Sequence, residues 1–168
     1  MQLLKGHDGV IHTILFSPDG ELLVSSGKDG TVRTWDVAGG STVHLTSHEQ
    51  YQSFAFSSDG RHLALGSAEG GLMVWNMAER TLAASQRVEG PVSGLAFLQD
   101  DRTVVFALGT PAKETEVTAG SIRFWDWRDN RFRPLLADIA PTIAVRGLAF
   151  LPAHRLMAWA TRNNLLTV

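Results

Sequence analysis

The side chains of this sequence best suited to chemistry are a few histidines and carboxylates. His7 and His48 carry imidazoles able to ligate a metal or to act as general bases. Asp29, Asp36 and Asp126 offer carboxylates, but a catalytic pair needs mutual proximity and displaced pKa values. Nothing in the spacing of these three supplies either. There is no cysteine, so thiolate metal sites and disulfides are excluded. The patterns G-x-S-x-G, Walker loop and H-E-x-x-H are absent, and Gly70-Gly71 reads as a turn rather than a phosphate cradle. Trp125-Asp126-Trp127-Arg128-Asp129-Asn130-Arg131-Phe132-Arg133 mixes aromatic and basic residues, as a stacking surface for single-stranded nucleic acid would. Against that reading, Trp125 and Trp127 have strand period, and Arg128 to Arg131 reads as a solvated turn. The whole chain balances 15 basic against 17 acidic residues, a formal charge of -2. No catalytic residue, metal or cofactor is therefore assigned. Neither nucleic acid nor a membrane is expected as a partner, since no stretch approaches 18 apolar residues.

The elements that hold these residues repeat. Gly6-His7, Leu15-Phe16-Ser17-Pro18-Asp19-Gly20 and Lys28-Asp29-Gly30 to Trp35-Asp36 form one copy. His48, Ala55-Phe56-Ser57-Ser58-Asp59-Gly60 and Glu69-Gly70 to Trp75-Asn76 form a second. Phe16 to Phe56 and Trp35 to Trp75 are both 40 residues. Leu95-Ala96-Phe97 with Trp125-Asp126 marks a third copy, and Gly147-Leu148-Ala149-Phe150 opens a fourth. Within copy one, Val10 to Phe16, Glu21 to Ser26, Thr31 to Val37 and Thr42 to Leu45 read as strands. Ser17-Pro18-Asp19-Gly20 and Asp29-Gly30 have the chemistry of tight turns. Four strands per period of about 40 residues make one blade of a β-propeller.

The expected fold is all-β, a partial propeller of three complete four-stranded blades plus a truncated fourth. The blades fall at about 5–46, 47–87, 88–137 and 138–168. The third is lengthened by an insertion at 110–120, readable either as a binding loop or as a tolerated surface insertion. The fourth stops one residue before its expected tryptophan. Leu3-Leu4 reads as an outer strand of a preceding blade. Open edges at the two ends point to self-association.

These motifs resemble the WD40-repeat family along essentially the whole chain. The resemblance implies a non-catalytic platform for protein partners, a scaffold or a regulatory sensor. The alternative is a propeller with a small-ligand or catalytic site in its central channel. It also implies a hydrogen-bonded tetrad in each complete blade, matched in copy one by His7, Ser25, Asp29 and Trp35. Copy two departs from it, with Leu65 at the hydroxyl position and Glu69 at the Asp position. Copy three keeps only Trp125, with Phe106 at the hydroxyl position. Partner contacts in the family come from the first strands, which match His12, Gln52, Ser93 and Arg146. They also come from the residue before the tetrad Asp, matching Lys28, Ala68 and Arg162. Such a face would be polar and mildly basic, suited to an acidic or phosphorylated peptide. The absence of cysteine fits a reducing compartment, and a cytoplasmic location is expected.

Overall fold

Local turn chemistry builds the same corner twice. At Ser17-Pro18-Asp19-Gly20, Gly20 N–H donates to Ser17 C=O (2.9 Å) and Ser17 Oγ accepts from Leu22 N–H (2.9 Å). At Ser57-Ser58-Asp59-Gly60 the matching bonds are 3.0 Å and 2.9 Å. Both corners need a left-handed residue, and Gly20 (φ 75°) and Gly60 (φ 70°) supply it without cost. The third corner has no glycine there. Asp101 takes the position at φ 47°, a region that Asp tolerates better than most residues.

These corners join strands into separate antiparallel sheets in a computed structural model. It describes residues 3–40, 42–46, 49–109, 121–133, 145–151, 156–161 and 166–167. The first sheet runs β1 (Ile11–Phe16), β2 (Leu22–Gly27), β3 (Val32–Asp36), β4 (Thr42–Thr46). The second runs β5 (Tyr51–Phe56), β6 (His62–Ser67), β7 (Gly71–Asn76), β8 (Thr81–Arg87). The third runs β9 (Val92–Phe97), β10 (Thr103–Leu108), β11 (Ser121–Asp126), β12 (Arg131–Arg133). The fourth has β13 (Val145–Leu151), β14 (Leu156–Thr161) and β15 (Leu166–Thr167). No helix occurs among the described residues. The fold is thus all-β, a partial propeller of meandering blades. Leu3 and Leu4 lie in none of the described strands. The insertion at 110–120 lies outside the described residues.

The blades pack face to face by one rule. In each, the face carrying the last apolar residues of the first strand meets the opposite face of the blade before. Phe54 and Phe56 of blade two pack with Val24 and Val32 of blade one. Leu95 and Phe97 of blade three pack with Ala64, Leu72 and Val74 of blade two. Leu148 of blade four packs with Val105, Ala107 and Ile122 of blade three. Gly66 permits the second of these contacts. A Cβ there would lie 2.5 Å from Val92 Cγ1 and 3.0 Å from Leu95 Cδ2.

Polar clasps fix the relative rotation of the blades. Thr13 Oγ1 donates to Gln52 C=O (2.9 Å), and Ser53 Oγ donates to Val92 C=O (3.1 Å). Asp101 accepts from Ser58 N–H (2.7 Å) and from the Ser58 hydroxyl, so the residue replacing glycine also ties blade three to blade two. His62 lies against Trp127 with ring centroids 4.7 Å apart.

Candidate interaction surface

Each first strand contains one residue too many. Opposite the single step from Gly27 to Ser26, β1 advances from Ile11 to Thr13, so His12 is bulged out of the ladder. The same irregularity falls between Tyr51 and Ser53, at Gln52. In β9 it falls at Ser93, and in β13 at Arg146. A bulge bends the strand and re-aims the side chain it frees. Four blades therefore present four bulged residues at one end of four first strands. His12 and Gln52 are exposed. Ser93 is partly buried, and its hydroxyl donates to Ala107 C=O (3.3 Å).

A backbone bond closes the same end of each complete blade. Lys28 N–H donates to Val10 C=O (2.8 Å), Ala68 N–H to Gln50 C=O (3.0 Å) and Gly109 N–H to Pro91 C=O (2.8 Å). Lys28 and Ala68 thereby flank the bulges of their own blades. Gly109 is the third-blade member of this set, a position the insertion obscured in the sequence. Arg162 and His48 lie outside the described residues.

Beneath this surface His7, Ser25, Asp29 and Trp35 form a continuous chain of hydrogen bonds. Asp29 can only accept, so His7 Nδ1 donates to it (3.0 Å). His7 Nε2 is then the acceptor for the Ser25 hydroxyl (2.7 Å), whose oxygen accepts the Trp35 indole N–H (2.8 Å). His7, Ser25 and Trp35 each place their donor on an acceptor, and Asp29 ends the chain as acceptor only. Burial opposes ionisation of Asp29. The N–H groups of Asp8 and Thr31, the Thr31 hydroxyl and His7 outweigh it and hold the carboxyl well below the usual carboxylate range. This fixes the turn that carries Lys28.

Blade two solves the same problem with other residues. Glu69 is exposed at the Asp position, and the turn is held by Ser67, whose hydroxyl accepts from Gly71 N–H (2.7 Å). Glu49 adds a salt bridge to Arg87 (2.7 Å). The Trp75 indole N–H is buried and finds no acceptor among the described residues, because Leu65 stands where Ser25 does in blade one. In blade three, Trp125 Nε1 donates instead to Asn130 Oδ1 (3.2 Å).

The carboxylates considered for catalysis are each engaged within their own blade. Asp36 accepts from Ala38 and Gly39 N–H (2.8 and 2.6 Å). Asp126 pairs with Arg102 (2.8 Å) and Arg133 (3.3 Å). Trp127 is buried, with Arg128 stacked 4.6 Å over its ring. No group of three acidic, His or Cys side chains able to hold a metal occurs among the described residues.

The repeat geometry agrees with sequence likeness. The WD40 family profile (WD domain, G-beta repeat) matches residues 1–36 and 39–76. These two segments are WD40 repeats. Mouse WD repeat-containing protein 90 is 37% identical over 117 residues, 64% of this chain and 6% of that protein. Small ribosomal subunit protein RACK1z of Arabidopsis thaliana is 32% identical over 87 residues, 51% of this chain and 26% of that one. The chain thus spans about a quarter or less of these relatives. Among solved structures, the WD40 repeats of RRP9 superpose with a TM-score of 0.78 at 21% identity, covering 98% of this chain and 49% of that one. The computationally designed Ika4 protein gives 0.74 at 19% identity, covering 98% and 93%. At such identities the likeness shows the WD40 propeller fold alone. No helix among the described residues is long and apolar enough to cross a membrane.

Proposed function

We propose that this WD40 segment is a non-catalytic interaction platform and that its partner docks across the bulged end of the blades. The observation that supports this most is the repetition of one bulge per blade, at His12, Gln52, Ser93 and Arg146. Sheets use bulges to re-aim side chains, and here they set a row of unlike residues on a rigid scaffold, the arrangement expected of a recognition surface. The charges are divided. Exposed His12 and Lys28 stand on blade one, while exposed Glu69 and Glu89 stand on and after blade two. The best-fitting partner is a protein segment that puts an acidic or phosphorylated side chain over blade one.

The test is fluorescence anisotropy with a labelled phosphoserine peptide and its unphosphorylated twin. The phosphopeptide is expected to bind more tightly, and Lys28→Glu should weaken it at least tenfold with an unchanged circular dichroism spectrum. Equal affinity of Lys28→Glu and the parent chain would remove the reading.

A further inference from the structure

Two columns of the repeat exchange a side chain and a glycine between blades one and two. Blade one has Gly27 and Thr31 where blade two has Ser67 and Gly71. In each blade the glycine makes room for a side chain from the segment that enters the first strand. A Cβ on Gly27 would lie 2.5 Å from His7 Nδ1. A Cβ on Gly71 would lie 2.3 Å from Glu49 Oε2. Neither glycine has a positive φ, so the backbone conformation does not call for it. The side chain packed against it does.

Glu49 thus packs in blade two as His7 packs in blade one, although it falls two positions further along its repeat. Its Oε1 accepts from Arg87 (2.7 Å) on β8, the last strand of the sheet, where Arg87 is paired with Gly71. Its Oε2 is buried over Gly71. Ser67 stands beside it, and the Ser67 hydroxyl accepts from Glu69 N–H (3.2 Å) and Gly71 N–H (2.7 Å). Burial opposes ionisation of Glu49, but the Ser67 hydroxyl and the Arg87 guanidinium outweigh it and hold the carboxyl below its ordinary range. The residue after Glu49 is Gln50, whose C=O accepts from Ala68 N–H (3.0 Å), and the bulge at Gln52 follows.

We propose that Glu49, seated over Gly71 and tied to Arg87, is the positioning residue of blade two. It fixes the entering segment, and with it the Gln52 bulge and the turn at Ala68, Glu69 and Gly70. The link runs from the start of the first strand to the end of the fourth. The end of blade two that carries Gln52 is thereby held without an Asp at position 69 and without the chain of hydrogen bonds that blade one uses. The proposal rests on the docking reading for what this surface does, but not for how the surface is held. Its test needs no partner, so it can fail while the docking reading stands.

The experiment is NMR on the 168-residue chain, following the Glu49 carboxyl against pH and the backbone amides by variant. In the parent chain Glu49 should titrate below the ordinary glutamate range. Arg87→Met, a change at an exposed side chain, should raise that midpoint. Gly71→Ala should also raise it, by pushing Oε2 out of its place. In Glu49→Ala the amides of Gln52 and Ala68 should shift, while those of His12 and Lys28 in blade one stay where they are. Urea midpoints give a second measurement. Gly71→Ala should lower the midpoint, and should lower it less when Glu49→Ala is already present. The clash with Oε2 is then gone, and only the 3.0 Å approach to Ser67 Oγ remains. A Glu49 that titrates at the ordinary value, additive losses in the two variants, or amides of Gln52 and Ala68 that move no more than those of blade one would each overturn the proposal.

Discussion

Removing the Ser25 hydroxyl should cost far more than its size indicates. Ser25 is 2% exposed and Trp35 is 3% exposed, so no solvent can replace a lost partner. In Ser25→Ala the indole N–H loses its acceptor and His7 Nε2 loses its donor. An orphaned buried polar group costs about 1–3 kcal/mol, and two of them act here, one at the edge of burial. We expect a loss of about 2–4 kcal/mol. With a urea slope of about 2 kcal/mol per molar, the midpoint should fall by about 1–2 M. The mechanism can be separated from simple cavity formation by a double-mutant cycle with Trp35→Phe, which removes the N–H but keeps a ring in place. If the orphaned indole dominates, Ser25→Ala costs less in the Trp35→Phe background, with a coupling of about 1–2 kcal/mol. Glu69→Ala is the control. Its side chain is exposed and holds nothing in the turn, so the change should stay within about 0.5 kcal/mol. All variants must be compared at one protein concentration, since association stabilises the folded state. Additive losses at Ser25 and Trp35, or equal losses at Ser25 and Glu69, would refute the reasoning.

Gly66→Ala should destabilise by about 1–3 kcal/mol, because its Cβ would meet Val92 Cγ1 at 2.5 Å and push blade three off blade two. A loss no greater than that of Gly39→Ala, which has no positive φ and whose Cβ would meet Asp36 only at an ordinary 3.4 Å, would contradict it. Stability should fall in acid. Asp29 is held below its ordinary value, so the stability it contributes is present above about pH 4 and is lost as pH falls through its folded pKa. Asp59, Asp100 and Asp126 act in the same direction. Burial lowers the pKa of His62, so a smaller loss begins as pH falls below about 6.5. Asp29→Asn should flatten the acid limb in a series of urea midpoints, and an unchanged limb would count against it.

The strands of blade one were legible because their turns are local. Ser17-Pro18-Asp19-Gly20 and Asp29-Gly30 encode their own geometry, and the observed strands begin and end within a residue of those read from the sequence. The corner at Asp101 was not legible. It lacks glycine, and its left-handed residue is held by Ser58, which lies 43 positions away. The bulges left no trace in composition. His12 and Gln52 were reached through family likeness, while the extra residue shows only when the opposite strand is laid beside it. Ser67 was missed because repeats are compared column by column. It holds its turn from the column that Gly27 occupies in blade one, so matching Asp29 with Glu69 pointed at the wrong side chain.

The contrast between blades one and two lies in the side chain that faces each tryptophan. Leu65 is fully buried between blades, and burying a leucine is worth about 1.5–3 kcal/mol. The Trp75 N–H left without an acceptor costs about the same, roughly 1–3 kcal/mol. Where a neighbouring blade seals the face, an apolar side chain and an orphaned indole thus come close to balance. In blade one the side chain facing the tryptophan is Ser25, buried with Trp35, and a leucine there would orphan the Trp35 N–H as Leu65 does that of Trp75. The polar chain from Trp35 through Ser25 and His7 to Asp29 needs nothing from an adjacent blade, because the segment Gly6-His7 folds over Trp35 and supplies the cover itself. The complete tetrad found among the described residues is thus satisfied within its own blade.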